Sequence, residues 1–161
     1  MAVMLLDALG LSADGISFGA TVNACDRASQ WEVAIELVTE MQRRRMQQNV
    51  ICQNSAMSAC GKAQQWQLAL RIYFELGNEA TVVSLNTAIN VCTSDGRWTL
   101  ALTLLHDASM VDVVSFNAVL KCLVGGACWS QALWILESMM DRGLEADVIT
   151  YATAISTLRG E

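Results

Sequence analysis

The sequence predicts an all-α fold, an α-α superhelix in which antiparallel helical hairpins stack as a solenoid, and three observations carry that prediction. Trp31, Trp66, Trp98 and Trp129 recur at spacings of 35, 32 and 31 residues, and each is followed three positions later by alanine: Ala34, Ala69, Ala101 and Ala132. Thirteen residues before each tryptophan stands a second column, Phe18, Gln53, Leu85 and Phe116, which continues to Tyr151. Within each period the apolar residues fall at helical spacing rather than in the alternation of a strand. Self-similarity at such a period marks an array in which each unit buries its apolar face against the next.

The elements follow in order. Residues 1-14 read as the end of a preceding repeat, because Met4 to Asp14 matches Met139 to Asp147, the tail of a second helix closed by glycine. Repeat 1 spans 15-49. Its first helix holds Ile16 to Cys25, with Ala20 and Ala24 where a neighbouring helix can approach closely. After the polar turn from Asp26 to Gln30, a second helix opens at Trp31 and sets Ala34, Ile35, Leu37 and Val38 on one apolar face. Arg43, Arg44 and Arg45 close it, where cations complement the helix dipole.

Repeat 2 (50-81) has the same parts: a first helix from Ile51 to Cys60, a turn from Gly61 to Gln65, and a second helix from Trp66. Repeat 3 (82-112) places them at Val83 to Cys92, Thr93 to Arg97 and Trp98; repeat 4 (113-147) at Val114 to Leu123, Val124 to Cys128 and Trp129. Residues 148-161 supply the first helix of a fifth repeat, Ile149 to Leu158. The turns are short enough to force antiparallel hairpins. The expected boundaries are those of a piece of a longer array, or of a protein that stacks onto something else through its exposed solenoid ends, since no polar capping repeat is evident.

Two side-chain columns have plain structural roles. The tryptophans share a face with Ala34 and Ile35 and are expected to pack in the core. Asp14, Asn49, Thr81, Asp112 and Asp147 each precede a first helix, where their side chains are expected to accept hydrogen bonds from free backbone N–H groups as N-caps.

Composition narrows the function. With 53% hydrophobic residues the chain can bury a substantial core, and without a single proline it carries no Pro-rich linker. A net charge of -6 gives no bulk attraction to a phosphate backbone and suits a protein partner better. The six cysteines include no C-x-x-C pair, and the single histidine, His106, has no cysteine at metal-ligand spacing, so no metal or cofactor is expected. No apolar run is long enough to span a membrane, and the first residues read neither as a secretory signal nor as a transit peptide. One histidine cannot complete a Ser/His/Asp or Cys/His set, and no Gly-rich phosphate loop follows a strand, so an enzyme is not expected.

The repeats resemble pentatricopeptide repeats. The resemblance rests on Val113-Val-Ser-Phe-Asn-Ala-Val-Leu120, on Cys60-Gly-Lys-Ala63, on the W-x2-A-L step, and on Met139-x3-Gly-Leu-x2-Asp147, in register across nearly the whole chain. The family's proline before that last aspartate is missing, and repeats 2 and 3 are shorter than 35 residues. The resemblance implies single-stranded RNA binding, one base per repeat, in organellar RNA processing, stability or translation, with a chloroplast or mitochondrial location. It implies base readers at Gly19 with Asn49, Asn54 with Thr81, Asn86 with Asp112, and Asn117 with Asp147. The last two are the family's Asn/Asp combination, associated with uracil. It further implies base-sandwiching side chains at Ile16, Ile51, Val83 and Val114, and phosphate-facing cations at Arg27 and Lys62. The alternative is a protein-protein interaction scaffold of the tetratricopeptide kind that does not bind RNA, although here the tryptophan opens the second helix and not the first.

Overall fold

The computed structural model describes residues 15–44, 50–93, 96–124 and 128–158, and among them every regular element is helical. Helices α1 (Gly15–Arg27) and α2 (Trp31–Arg43) make the first hairpin, and α3 (Val50–Lys62) and α4 (Trp66–Leu76) the second, followed by a 3-10 turn at Gly77–Glu79. Helices α5 (Val82–Thr93) and α6 (Trp98–Asp107) make the third, α7 (Val113–Leu123) and α8 (Trp129–Asp141) the fourth, and α9 (Val148–Leu158) comes last. The expected segment 1-14 and the residues after Leu158 lie outside the described residues.

The helices form two compact units that divide between Ala80 and Thr81. In the first, α1 packs on α2 and α3, and α3 on α2 and α4. In the second, α5 packs on α6 and α7, α7 on α6, α8 and α9, and α8 on α9. Within each unit a first helix therefore touches its own second helix, the second helix before it and the first helix after it. That is solenoid connectivity, in which contacts run between neighbours only.

One turn geometry closes the first three hairpins. The N–H of Gln30 donates to the Cys25 carbonyl at 2.9 Å, that of Gln65 to Cys60 at 2.8 Å, and that of Arg97 to Cys92 at 3.1 Å. The residue before each donor is left-handed: Ser29 at φ 55, Gln64 at φ 60 and Gly96 at φ 63. A helix end closed by this six-residue bond needs such a residue, and only Gly96 adopts it without steric cost. The fourth turn falls outside the described residues.

Ala34, Ala69, Ala101 and Ala132 are buried, as are Phe18, Leu85, Phe116 and even Gln53 of the second column. The guanidinium of Arg44 lies 5.7 Å from the centre of the Phe18 ring, and that of Arg142 lies 6.0 Å from Phe116, so the cation ending a second helix lies over the ring of its own repeat. Arg44 also pairs with Glu40 at 2.8 Å and Arg43 with the same carboxylate at 3.4 Å.

The tryptophan column departs from expectation. Trp31, Trp66 and Trp98 are only half-buried, and Trp129 is 55% exposed. Each indole sits on the first residue of its helix, at the turn, where no preceding helical turn covers it. The alanine three residues on, one turn deeper, takes the place in the core.

Candidate nucleic-acid interface

Each first helix in the second unit starts on a side chain that is both a cap and a candidate reader. Asp112 Oδ1 accepts the Ser115 N–H at 2.8 Å while Ser115 Oγ accepts the Asp112 N–H at 3.3 Å, a reciprocal capping box. Asp147 and Thr150 repeat it before α9, at 2.7 and 3.2 Å, and Thr81 and Ser84 before α5, at 3.3 and 3.2 Å. The capping expectation thus holds at Thr81, Asp112 and Asp147. Asp14 and Asn49 lie outside the described residues.

These bonds hold the carboxylates ionised. Burial alone would raise the Asp112 carboxyl, but hydrogen bonds, those from the Ser115 backbone N–H and from Asn86 among them, outweigh it and keep it below the usual carboxylate range. Hydrogen bonds from the Thr150 hydroxyl and backbone, with a further one from Asn117, lower Asp147 likewise. A carboxyl depressed by folding stabilises the fold fully above its unfolded value of about 3.9, and that contribution is lost as pH falls through the lower folded value. Asp112→Ala is therefore expected to cost about 1 kcal/mol at neutral pH, read as a urea midpoint shift. The gap to wild type should narrow with acidification below about pH 4; a gap independent of pH would refute the charged-cap assignment.

The implied readers are partly brought together. In repeat 3, Asn86 Nδ2 donates to Asp112 Oδ1 at 3.3 Å. In repeat 4, the Asn117 side chain contributes to lowering the Asp147 carboxyl. Asn117 and Asn54 each keep a buried Oδ1 with no hydrogen-bond partner among the described residues, an acceptor left for something else. Gly19 is half-buried on α1, and its counterpart Asn49 lies outside the described residues. Asn54 belongs to the first unit and Thr81 to the second.

Three residues before each asparagine stands an aliphatic side chain in the open. Ile51 is 72% exposed, Val83 62% and Val114 56%, and the column continues at Ile149, 65% exposed. Burying one such side chain is worth roughly 1.5–3 kcal/mol. Single exposed aliphatics are ordinary, but within the second unit three successive first helices carry one in the same register, and α3 of the first unit carries one at the matching position. The side chain of Ile16, the first member, is not among those described.

The cation positions are weaker. Arg27 is exposed at the end of α1, whereas Lys62 Nζ is held by the Asp26 carboxylate at 2.9 Å and the Asp26 carbonyl at 3.1 Å. Among the described residues no cluster of His, Cys, Asp and Glu could hold a metal ion, and no helix is long and apolar enough to cross a membrane. The buried hydroxyl column Ser84, Ser115 and Thr150 was not singled out from the sequence. Its signal was available, a Ser or Thr three residues after an Asp or Thr cap.

Residues 114–144 match the family model of the PPR repeat. No curated protein sequence matches the chain. Among solved structures it is similar to the pentatricopeptide repeat protein PPR10 in complex with an 18-nt psaJ RNA element, at a TM-score of 0.78 and 24% identity, covering 89% of this chain and 22% of that one. A PPR10 variant with three cysteines changed to serine, in the same kind of complex, gives the same values. PPR10 from maize is similar at a TM-score of 0.52 and 16% identity, covering 98% of this chain and 28% of that one. These likenesses show the fold, and the chain spans under a third of the PPR10 chains it matches. One PPR repeat, at residues 114–144, is thus matched by the family model, and over most of its length the chain has the helical-hairpin fold of the pentatricopeptide repeat protein PPR10.

Proposed function

We propose that this chain is a non-enzymatic binder of single-stranded RNA that addresses one base with each repeat, and that it serves organellar RNA processing, stability or translation in chloroplast or mitochondrion. The observation that carries the reading is the pairing of two columns on the first helices. An exposed aliphatic, Ile51, Val83 or Val114, stands three residues before a half-buried asparagine, Asn54, Asn86 or Asn117. Exposed apolar side chains suit contact with the faces of unstacked bases, and an amide offers donor and acceptor to a base edge. Asn86 with Asp112 and Asn117 with Asp147 are the pairs proposed for uracil. The RNA bound by PPR10 in its crystal structure is consistent with the same use of the fold.

With a net charge of -6, and with Lys62 held by Asp26, the phosphate contribution is small, so binding is expected to be modest. Gel-shift titration with poly(U), poly(A) and poly(C) at low and physiological salt tests this: poly(U) should bind best, and less tightly as salt rises. The same acidity favours a second reading, a protein-interaction scaffold. Absence of binding to all three polymers at low salt would reject the RNA reading in favour of it.

A further inference from the structure

Three polar groups close a ring between repeats 3 and 4. Asn86 Nδ2 donates to Asp112 Oδ1 at 3.3 Å, and Ser115 Oγ lies 2.6 Å from Asn86 Oδ1 and 2.8 Å from Asp112 Oδ1. Turning the amide over would set its oxygen against the Asp112 carboxylate, so charge repulsion fixes the orientation seen. A hydroxyl has one proton to give. Asp112 Oδ1 already receives the Ser115 N–H and the Asn86 amide, and the contact to Asn86 Oδ1 is the shorter, so the proton belongs on Asn86. The amide's acceptor is then occupied. Its second N–H has no protein acceptor among the described residues.

The next repeat lacks this arrangement. Thr150, in the place of Ser115, lies 2.7 Å from Asp147 Oδ1 and caps α9 equally well. Asn117 Oδ1 remains buried and unpartnered. The two Asn/Asp pairs are therefore alike in sequence and different in what the amide presents.

We propose that Ser115 is a positioning residue for base selection by repeat 3: it fills the acceptor of Asn86 and leaves only a donor facing the ligand. Such an amide favours uracil, which carries a carbonyl oxygen at C4, over cytosine, which carries an amino group there. Repeat 4, where no hydroxyl fixes the Asn117 amide, discriminates less. This rests on the RNA-binding reading above, which it deepens.

The test uses the whole 161-residue chain with labelled oligouridylate and oligocytidylate twelve-mers at low salt, read by fluorescence anisotropy. Ser115→Ala should lower the ratio of oligouridylate to oligocytidylate affinity about three-fold, the order expected for one hydrogen bond. The Asn86 side-chain amide resonances, followed by nitrogen-15 NMR without RNA, should move toward free-amide values in the same variant. Ser115→Thr, which keeps a capping hydroxyl as Thr150 does, should hold the melting midpoint and show whether any loss of ratio in Ser115→Ala is mere loss of fold. Preferential oligouridylate binding whose ratio is unmoved by Ser115→Ala overturns this inference alone, as do unmoved Asn86 resonances. Failure of the wild-type chain to bind oligouridylate overturns the RNA-binding reading and this inference with it.

Discussion

Phe116→Ala is expected to destabilise the second unit by about 3–5 kcal/mol, enough to leave it largely unfolded at room temperature. The ring is fully buried on α7, the helix that packs against α5, α6, α8 and α9, so the cavity would open at the centre of that unit. The Arg142 guanidinium 6.0 Å from the ring centre would lose its aromatic partner as well. Trp129→Ala removes a larger side chain but one 55% exposed, and is expected to cost under about 1 kcal/mol. Urea titration followed by circular dichroism separates the two. Equal midpoint shifts would show that the tryptophan column is core after all.

The contrast between Phe116 and Trp129 separates recurrence in sequence from depth in the fold. Periodicity exposes which positions recur, and Trp31, Trp66, Trp98 and Trp129 recur most visibly because tryptophan is rare. It does not say which recurring position is deepest. Depth follows from packing between helices, and there the alanines and the column Phe18, Gln53, Leu85 and Phe116 are the buried positions. The helices, hairpin turns and caps were legible, since each rests on local chemistry: apolar spacing, a left-handed turn residue, a carboxylate before the first N–H groups. The implied readers follow from resemblance to a family and not from local chemistry. The bond from Ser115 to Asn86 was not legible, because it joins residues 29 apart in sequence and depends on distances of a few tenths of an ångström. The division between Ala80 and Thr81 follows the shortened second repeat, which ends in the 3-10 turn Gly77–Glu79 with Gly77 at φ 51, but a shortened repeat alone does not announce a break.

Replacing both Asn86 and Asn117 by alanine is expected to abolish any preference for poly(U) over poly(C), a loss on the order of ten-fold or more if each amide contributes an ordinary hydrogen bond. The substitutions remove the groups proposed to touch the bases, while Asp112 and Asp147 keep their capping partners Ser115 and Thr150. Helical content and melting midpoint should therefore hold, since alanine favours helix and neither asparagine is fully buried. Residual binding should persist through Ile51, Val83 and Val114, whose exposed side chains discriminate no base. Of the single changes, Asn86→Ala should cost more of the uracil preference than Asn117→Ala, because its amide is the one held to a single presentation. Competition titrations with the two homopolymers measure this directly. A double variant that keeps the full preference would place base selection away from the asparagine column and leave its buried, unpartnered oxygens without a ligand to explain them.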